Sequence, residues 1–439
     1  MNNRRPQPAA PPAPPGPAAH YDLGATDATI EHLSQWFHEF GDTYRVYSPL
    51  RGAWTWVIHD ADDVRRVLVT NHRNYTKGAG IDRVRLLLGN GIMTSEGAVW
   101  RRQRRMMQPA FHRRVIERFA QIMWRENESL VAEWQAAARA GARVNVTGSM
   151  SRLTLRVVLQ AIFGADLGSL VRDLDDNPFM LLTRESKRDP RFAYEFRQLG
   201  RLVVDLIRRR EDSSAEHFDF LQMLMAARDP GTGTPMTAQE LLDEVLTLVV
   251  AGHETTASAL AWTWWLLSRH PGVDARVYDE QSRLGDVGLA SYTDLGRMPY
   301  TRQVLDEALR LYPPGWLLTR RNIGRDQLGG FELPPGTDVF ISPYVIHRHP
   351  RHWERPQAFD PAHFDAERVE RRHAFAYIPF AAGPRHCIGE NFSMYEMLVH
   401  LNGTLRRFRL VDPQPAQAII EARINLRTVE DLQMRVETR

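Results

Sequence analysis

The sequence predicts a mainly α-helical protein with a smaller β lobe, on three observations. Most of the chain from Trp100 to His270 carries apolar residues at helical spacing, broken at PAF near Pro109, at DLDDNP and at DPGTGTP. Within it one helical pattern runs from behind Thr237 to Pro271, roughly 50 Å of helix. Strand signals gather elsewhere, in the alternating AWTWVI of Ala53 to Ile58 and in the run from LGGFELPPG to TDVFISPYVIH.

In chain order, the opening MNNRRPQPAAPPAPPGPAAH is rich in Pro and Ala and lacks the apolar core of an export signal, so residues 1–27 are expected to be a disordered tail. From Glu31, EHLSQWFHEFG reads as a helix, AWTWVI as a strand and ADDVRRVLVTN as a second helix. The long helix has an N-cap in Thr237 and a capping-box partner in Glu240. After it come a helix ending at LYPP, a hairpin at LGGFELPPG, the strand TDVFISPYVIH, and a loop-rich run to a final helix, NFSMYEMLVHL. With no internal repeat and an even composition, residues 28–439 are expected to form one domain.

Composition narrows the function classes. Lys and Arg number 56 against 53 Asp and Glu, too small an excess for a protein built chiefly to hold nucleic acid. A single cysteine excludes an intramolecular disulfide, so a reducing cytoplasm is the simplest home. No uninterrupted apolar stretch is long enough to span a bilayer, and a soluble protein, expected to be a monomer, follows.

The lone cysteine, Cys387, stands in FAAGPRHCIGE, Phe380 to Glu390. A solitary thiol in a large chain is ordinarily an inert, buried small hydrophobe. Here it lies directly before a helix, where free backbone N–H groups and the helix dipole favour thiolate, the form that ligates iron. Gly383 and Gly389 flank it and would let a flat macrocycle approach the backbone. Structural zinc is disfavoured because no second cysteine exists, and a cysteine protease less firmly so.

The segment matches F-x-x-G-x-R-x-C-x-G through Phe380, Gly383, Arg385, Cys387 and Gly389, and on these residues the chain resembles the cytochrome P450 superfamily, the haem-thiolate monooxygenases. The resemblance implies the P450 fold, with haem between the long central helix and the cysteine loop. It implies Cys387 as the axial ligand to the iron of haem b (iron protoporphyrin IX), Arg385 at a propionate and Phe380 shielding the sulfur.

Three further segments match in the expected order, so that the resemblance covers roughly residues 30 to 410. In AGHETTA, mid-way along the long helix, Glu254 and Thr255 take the places of the acid and alcohol that relay protons to the oxygen site, while His253 and Thr256 are read as structural. In EALR, Glu307 and Arg310 match a buried pair that supports the cysteine loop. The arginine that completes that triad in the family is replaced by His363, in FDPAHF, which has fewer donors and puts the third contact in doubt. In WRRQR, Trp100 and Arg104 share a helix face and by resemblance hold a propionate, as does Arg320; the adjacent Arg321 would point the other way. Arg101, Arg102 and Arg105 would then face outward and suit an acidic electron donor.

The resemblance implies insertion of one oxygen atom from O2 into a C–H or C=C bond of a small apolar organic substrate. Electrons would come from a separate ferredoxin or flavodoxin-type donor and its reductase, since the chain shows no four-cysteine set and no dinucleotide fingerprint. Substrate is expected against the regions Tyr75 to Met93 and Phe179 to Leu199, against Val250 and Ala251, and against Gly315, Trp316, Leu317 and Leu318. Two alternatives stay open: a haem-thiolate dehydratase or isomerase of the same fold, which would be expected to lack the acid and alcohol, and a non-enzymatic haem sensor, which would carry an output module.

Overall fold

The computed structural model describes residues 13–170, 190–212, 216–284 and 292–439. The DLDDNP turn and residues 179–189 of the expected substrate region lie outside the described residues. The chain divides into two compact units: Met1–Ala79 with Trp316–Pro356 and Arg372–His386, and Gly80–Gly315 with Gln357–Arg371 and Cys387–Arg439.

The first unit is the β lobe. Its strands β1 (Thr43–Ser48), β2 (Ala53–Ile58), β3 (Tyr75–Lys77), β4 (Leu318–Asn322) and β5 (Asp338–Ile341) form one sheet in the order β1-β2-β5-β4-β3. Only β2 and β5 pair in parallel, with Trp56 opposite Val339. The central β5, DVFI, is buried at every position, as a strand covered on both faces should be. Trp56, Ile58, Val339 and Ile341 meet Val64, Val67, Leu68 and Ile378 in a single apolar core.

EHLSQWFHEFG becomes helix α1 (Thr29–Phe40). ADDVRRVLVTN starts as a helix at Ala61–Arg65, capped by the Asp60 carboxylate, which accepts from the amides of Asp62 and Asp63, and widens into π turns over Arg66–Thr70. The hairpin at LGGFELPPG pairs Asp326–Leu328 with Phe331–Leu333 and turns on Gly329 and Gly330, at φ 58° and 81°. TDVFISPYVIH is a shorter strand than expected. It ends at Ile341, and Pro343, which has no N–H for a ladder and a φ suited to a first helical turn, opens the helical turn Pro343–Ile346.

The expectation of a tail over 1–27 is corrected for its described part. The Arg45 amide donates to Pro15 O and the Tyr21 amide to Tyr47 O, both at 2.9 Å, so residues 13–27 are fastened along β1.

The second unit is the helical body, with α2 (Gly97–Met107), α3 (Ala120–Arg139), α4 (Val146–Phe163), α5 (Pro190–Glu211), α6 (Ala238–Arg269), α7 (Pro271–Leu284), α8 (Pro299–Leu311) and α9 (Glu390–Leu405). The capping box forms as read: Thr237 Oγ1 accepts from the Glu240 amide at 3.2 Å, and Glu240 Oε2 accepts from the Thr237 amide at 2.8 Å. From there α6 runs through the interior, buried on most faces between Leu241 and Leu267. Such a helix owes its stability to packing on all sides rather than to one amphipathic stripe. It lies against α4 so closely that a side-chain carbon at Gly252 would stand 2.8 Å from Val158 Cγ2. α8 stops before Tyr312, whose ring stacks on Trp262 with centroids 3.8 Å apart. The C-terminal hairpin Ile420–Ala422 with Leu426–Thr428 is tied to α6 by Ser258 Oγ donating to Leu426 O at 2.5 Å.

Candidate functional site

In the helical body Cys387 stands just ahead of α9, which opens at Glu390. The backbone amides of Gly389 and Glu390 donate to its sulfur and the Arg104 guanidinium on α2 stabilises its anion, all lowering the thiol pKa. Burial outweighs them and, with the nearby Glu390 carboxylate, pushes the thiol above its ordinary value. The sequence reading that the helix end favours thiolate therefore holds for the direction of those contacts and not for the balance. A cation bound at the sulfur would favour its thiolate form.

Deep as it is, Cys387 is an exposed residue. A side-chain carbon at Gly389 would have only the Cys387 sulfur within 4 Å, at 3.9 Å. The sulfur is thus held by the backbone amides of Gly389 and Glu390. Arg104 feels both surroundings: burial lowers its guanidinium pKa and the sulfur raises it. Trp100 lies one turn before it on α2, and both are half-buried.

On α6 the exposure pattern singles out one residue. Thr255 is exposed in the middle of an otherwise buried helix, and its hydroxyl donates to Ala251 O at 3.0 Å. Ala251 is half-buried, but Val250 is only 5% exposed, so the expectation that Val250 fronts a ligand is corrected. Glu254 faces elsewhere, into a cavity of about 350 Å³ shared with Ala257, Ser258 and Ala261. Successive helical residues point about 100° apart, which is why acid and alcohol look to different sides. His253 and Thr256 are buried and bond back to Val249 O and Gly252 O, in structural positions.

On α8, Glu307 and Arg310 are fully buried and doubly bonded, with Arg310 Nε donating to Glu307 Oε2 and Nη2 to Oε1, both at 2.7 Å. His363 does reach the pair: its Nδ1 donates to Glu307 Oε1 at 3.0 Å. The backbone adds one donor to that carboxylate, the Asp360 amide, which donates to Glu307 Oε1 at 2.8 Å, and Arg310 also donates to Ala358 O at 2.8 Å.

The outward basic patch is corrected in part. Arg101 is exposed, but Arg102 donates to Glu240 at 2.6 Å and to Pro235 O at 2.7 Å, and both Arg102 and Arg105 approach Asp229. Arg102 fastens α2 to the start of α6, while Arg105 stays exposed, as expected.

The β lobe carries the other residues singled out. Phe380 is half-buried and tilts towards the His386 ring, with centroids 6.5 Å apart; Arg385 closes the turn Gly383–Arg385 and is half-buried. Gly383 has a reason within the protein: its φ is 74°, and a side-chain carbon there would collide with Leu68 O. On β4, Arg320 is half-buried while Arg321 is exposed and pairs with Asp338 at 2.7 Å, the opposite orientations that a strand dictates. Leu317 and Leu318 are partly open, and in the helical body so is Gly315. Trp316, expected as part of an apolar wall, is 2% exposed with its carbonyl accepting from Ser342 Oγ, so it is core and not lining.

The sequence model of the family described as Cytochrome P450 matches residues 11–199 and 178–428. The chain belongs to the cytochrome P450 family. It is 38% identical over 365 residues to cyclooctatin synthase of Streptomyces melanosporofaciens, covering 79% of this chain and 78% of that protein. It is 32% identical over 364 residues to pentalenene oxygenase of Streptomyces avermitilis, covering 80% and 81%. The solved heme domain of cytochrome P450DA superposes with a TM-score of 0.86 at 27% identity, over 98% of each chain.

As a cytochrome P450 the protein is a monooxygenase of the haem-thiolate class, which uses O2, redox partners and apolar substrates. Its residues fit that group: a cysteine directly before a helix, whose sulfur accepts from two backbone amides and lies beside the Arg104 guanidinium. Among the described residues no helix is long and apolar enough to cross a membrane.

What the sequence reading missed is the cavity at Glu254. Its walls come from α4 and the C-terminal hairpin, far from α6 in the chain, and no local motif announces them.

Proposed function

We propose that this cytochrome P450 inserts one oxygen atom of O2 into a C–H or C=C bond of a largely hydrocarbon, ring-containing substrate. Cys387 holds haem b, and electrons arrive from a separate ferredoxin or flavodoxin-type donor with its reductase. The observation that carries this reading is the Cys387 sulfur at the start of α9, accepting from the amides of Gly389 and Glu390 beside Arg104. When bound through that sulfur, haem supplies the oxygen-activating chemistry.

The chain's own contribution is local. The two amides and Arg104 stabilise the sulfur as an anion and temper its donation. Trp100, Arg104, Arg320 and Arg385 supply the N–H donors that carboxylates such as propionates require. Thr255 presents a hydroxyl on the open side of α6 and can pass on a proton there, with the Glu254 carboxylate beside it in the chain as the acid of the relay. Ala251, Gly315, Leu317 and Leu318 offer small or apolar surface to a substrate.

The substrate class is supported by the relatives' names. One is a cyclooctat-9-en-7-ol 5-monooxygenase and another a pentalenene oxygenase, names that denote an alkenol and an alkene.

The test is the spectrum of the dithionite-reduced protein under carbon monoxide. A strongly red-shifted band is expected, and Cys387→His should remove it; a wild-type protein without that band overturns the reading. Titration with cyclic alkenes and alkenols, followed by the haem absorption shift, then narrows the substrate.

A further inference from the structure

Two adjacent carboxylates near the start of α6, Asp243 and Glu244, are 7% and 0% exposed. Buried charge has to be met by donors, and here backbone amides of a single loop supply them. The Asn90 amide donates to Asp243 Oδ2 at 2.7 Å, and the Ile92 amide to Glu244 Oε2 at 2.9 Å. Gln239, one turn earlier on α6, donates its Nε2 to Asp243 Oδ1 at 2.7 Å and so aims that carboxylate. Hydrogen bonds of this charge-assisted kind are about twice as strong as neutral ones.

The loop comes this close because it has glycine where it meets the helix. A side-chain carbon at Gly89 would collide with the Asp243 carboxylate, and one at Gly91 would stand 2.5 Å from Thr247 Oγ1 and 2.7 Å from Asp243 O. From the other side, Gln103 Nε2 on α2 donates to Asn90 O at 3.1 Å. Both backbone groups of Asn90 are therefore held, its N–H by α6 and its C=O by α2. Thr94 Oγ1 donates back to Gly89 O at 2.7 Å and closes the loop on itself.

The position of the loop along α6 gives the clamp its consequence. Thr247, Ala251 and Thr255 stand four residues apart on one stripe of the helix. Along it Thr255 is exposed, Ala251 is half-buried, and Thr247 is buried with Gly91 packed on it. The loop thus ends the open stripe at Thr247, about 12 Å along the helix from Thr255. Ile92 and Met93, half-buried and apolar, stand at that end.

We infer that Asp243 and Glu244 are positioning residues for substrate selection: by clamping Asn90 and Ile92 they fix an end wall to the open face of α6 and so limit the size of molecule that fits beside Thr255. The inference rests on the proposed monooxygenase reading and deepens it by naming what sets the size limit. The two carboxylates act through the loop backbone and not on the reacting atoms.

The test uses two azoles of different bulk, imidazole and clotrimazole, titrated into the ferric holoenzyme and followed by the haem absorption shift. Asp243→Ala and Glu244→Ala are each expected to change the ratio of the two dissociation constants at least fivefold in favour of clotrimazole. Imidazole affinity should stay within twofold and the carbon monoxide spectrum should not change. Deuterium uptake by the peptide spanning residues 89–95 should accelerate at least tenfold. Asp243→Asn and Glu244→Gln keep an acceptor oxygen and are expected to restore the wild-type ratio and uptake; conservative variants that behave like the alanine ones overturn the acceptor role. If the alanine variants do not fold, Gly91→Ala, which leaves both carboxylates in place and wedges the loop off Thr247, is expected to give the same shift in ratio. Folded alanine variants, or Gly91→Ala in their stead, that keep the wild-type ratio overturn the inference. A wild-type protein without the red-shifted carbon monoxide band sinks the monooxygenase reading, whereas a protein with that band and an unaltered ratio in the variants sinks the clamp alone.

Discussion

His363 Nδ1 donates to Glu307 Oε1 at 3.0 Å, on the same oxygen that accepts from the Asp360 amide and from Arg310. One carboxylate oxygen thus ties α8 to the FDPAHF turn through side chain and backbone together, with His363 as one of its donors. Removing either end should therefore differ in cost. Glu307→Ala leaves Arg310 charged and buried and is expected to destabilise by about 3–5 kcal/mol. His363→Ala removes one donor to a carboxylate that keeps its others, and about 1–3 kcal/mol is expected. Urea unfolding of the three proteins measures both, and equal costs would contradict the account.

Gly252 is a packing residue as much as a motif residue. A methyl group there would press on Val158 Cγ2 at 2.8 Å, so Gly252→Ala is expected to destabilise by about 1–3 kcal/mol despite alanine's better helix propensity. Val158→Ala should relieve the clash. A double-mutant cycle is expected to return a favourable coupling of about 1 kcal/mol or more, and additive effects would rule the contact out as the cause.

His400 sets an acid limit on stability. Burial pushes its pKa down to about 3; Trp264 Nε1 donates to its Nε2 at 2.9 Å and its Nδ1 donates to Asn127 Oδ1 at 2.8 Å, which fixes the neutral tautomer. Because the folded pKa lies below the unfolded value near 6.5, its contribution is complete above pH 6.5 and lost as pH falls towards 3. On the order of 4 kcal/mol is at stake over that window. His400→Phe should lower stability at pH 7 and flatten the acid limb of the unfolding free energy, and an unchanged limb would contradict the assignment.

Thr255→Ala is expected to leave haem and substrate binding in place and to lower product per electron pair severalfold, with hydrogen peroxide or water taking the balance. Thr255→Ser should restore most of the coupling, because the hydroxyl that now bonds Ala251 O is retained. Simultaneous measurement of reductant use, peroxide and product decides it.

Much of this was legible in the sequence because it is local. A capping box, a hairpin glycine pair and a cysteine directly before a helix are set by residues a few positions apart, and Thr237, Gly329 and Cys387 stand where those rules put them. The alternation of a strand likewise separated Arg320 from Arg321. The strand expected through Ser342 stops at Ile341 for an equally local reason, because Pro343 has no N–H for the ladder and a φ suited to a helical turn.

The chain by itself determined what its short-range chemistry fixes: a thiol at a helix start, an acid and an alcohol side by side on a long helix, and a Glu and Arg one turn apart. Tertiary structure decided which groups are covered and which face open space. It buried Trp316 and Val250, bound Arg102 to Glu240, turned Glu254 towards a cavity while leaving Thr255 exposed, and gave His363 its carboxylate. Burial and the direction of a side chain depend on partners hundreds of positions away along the chain, and sequence periodicity carries no record of them.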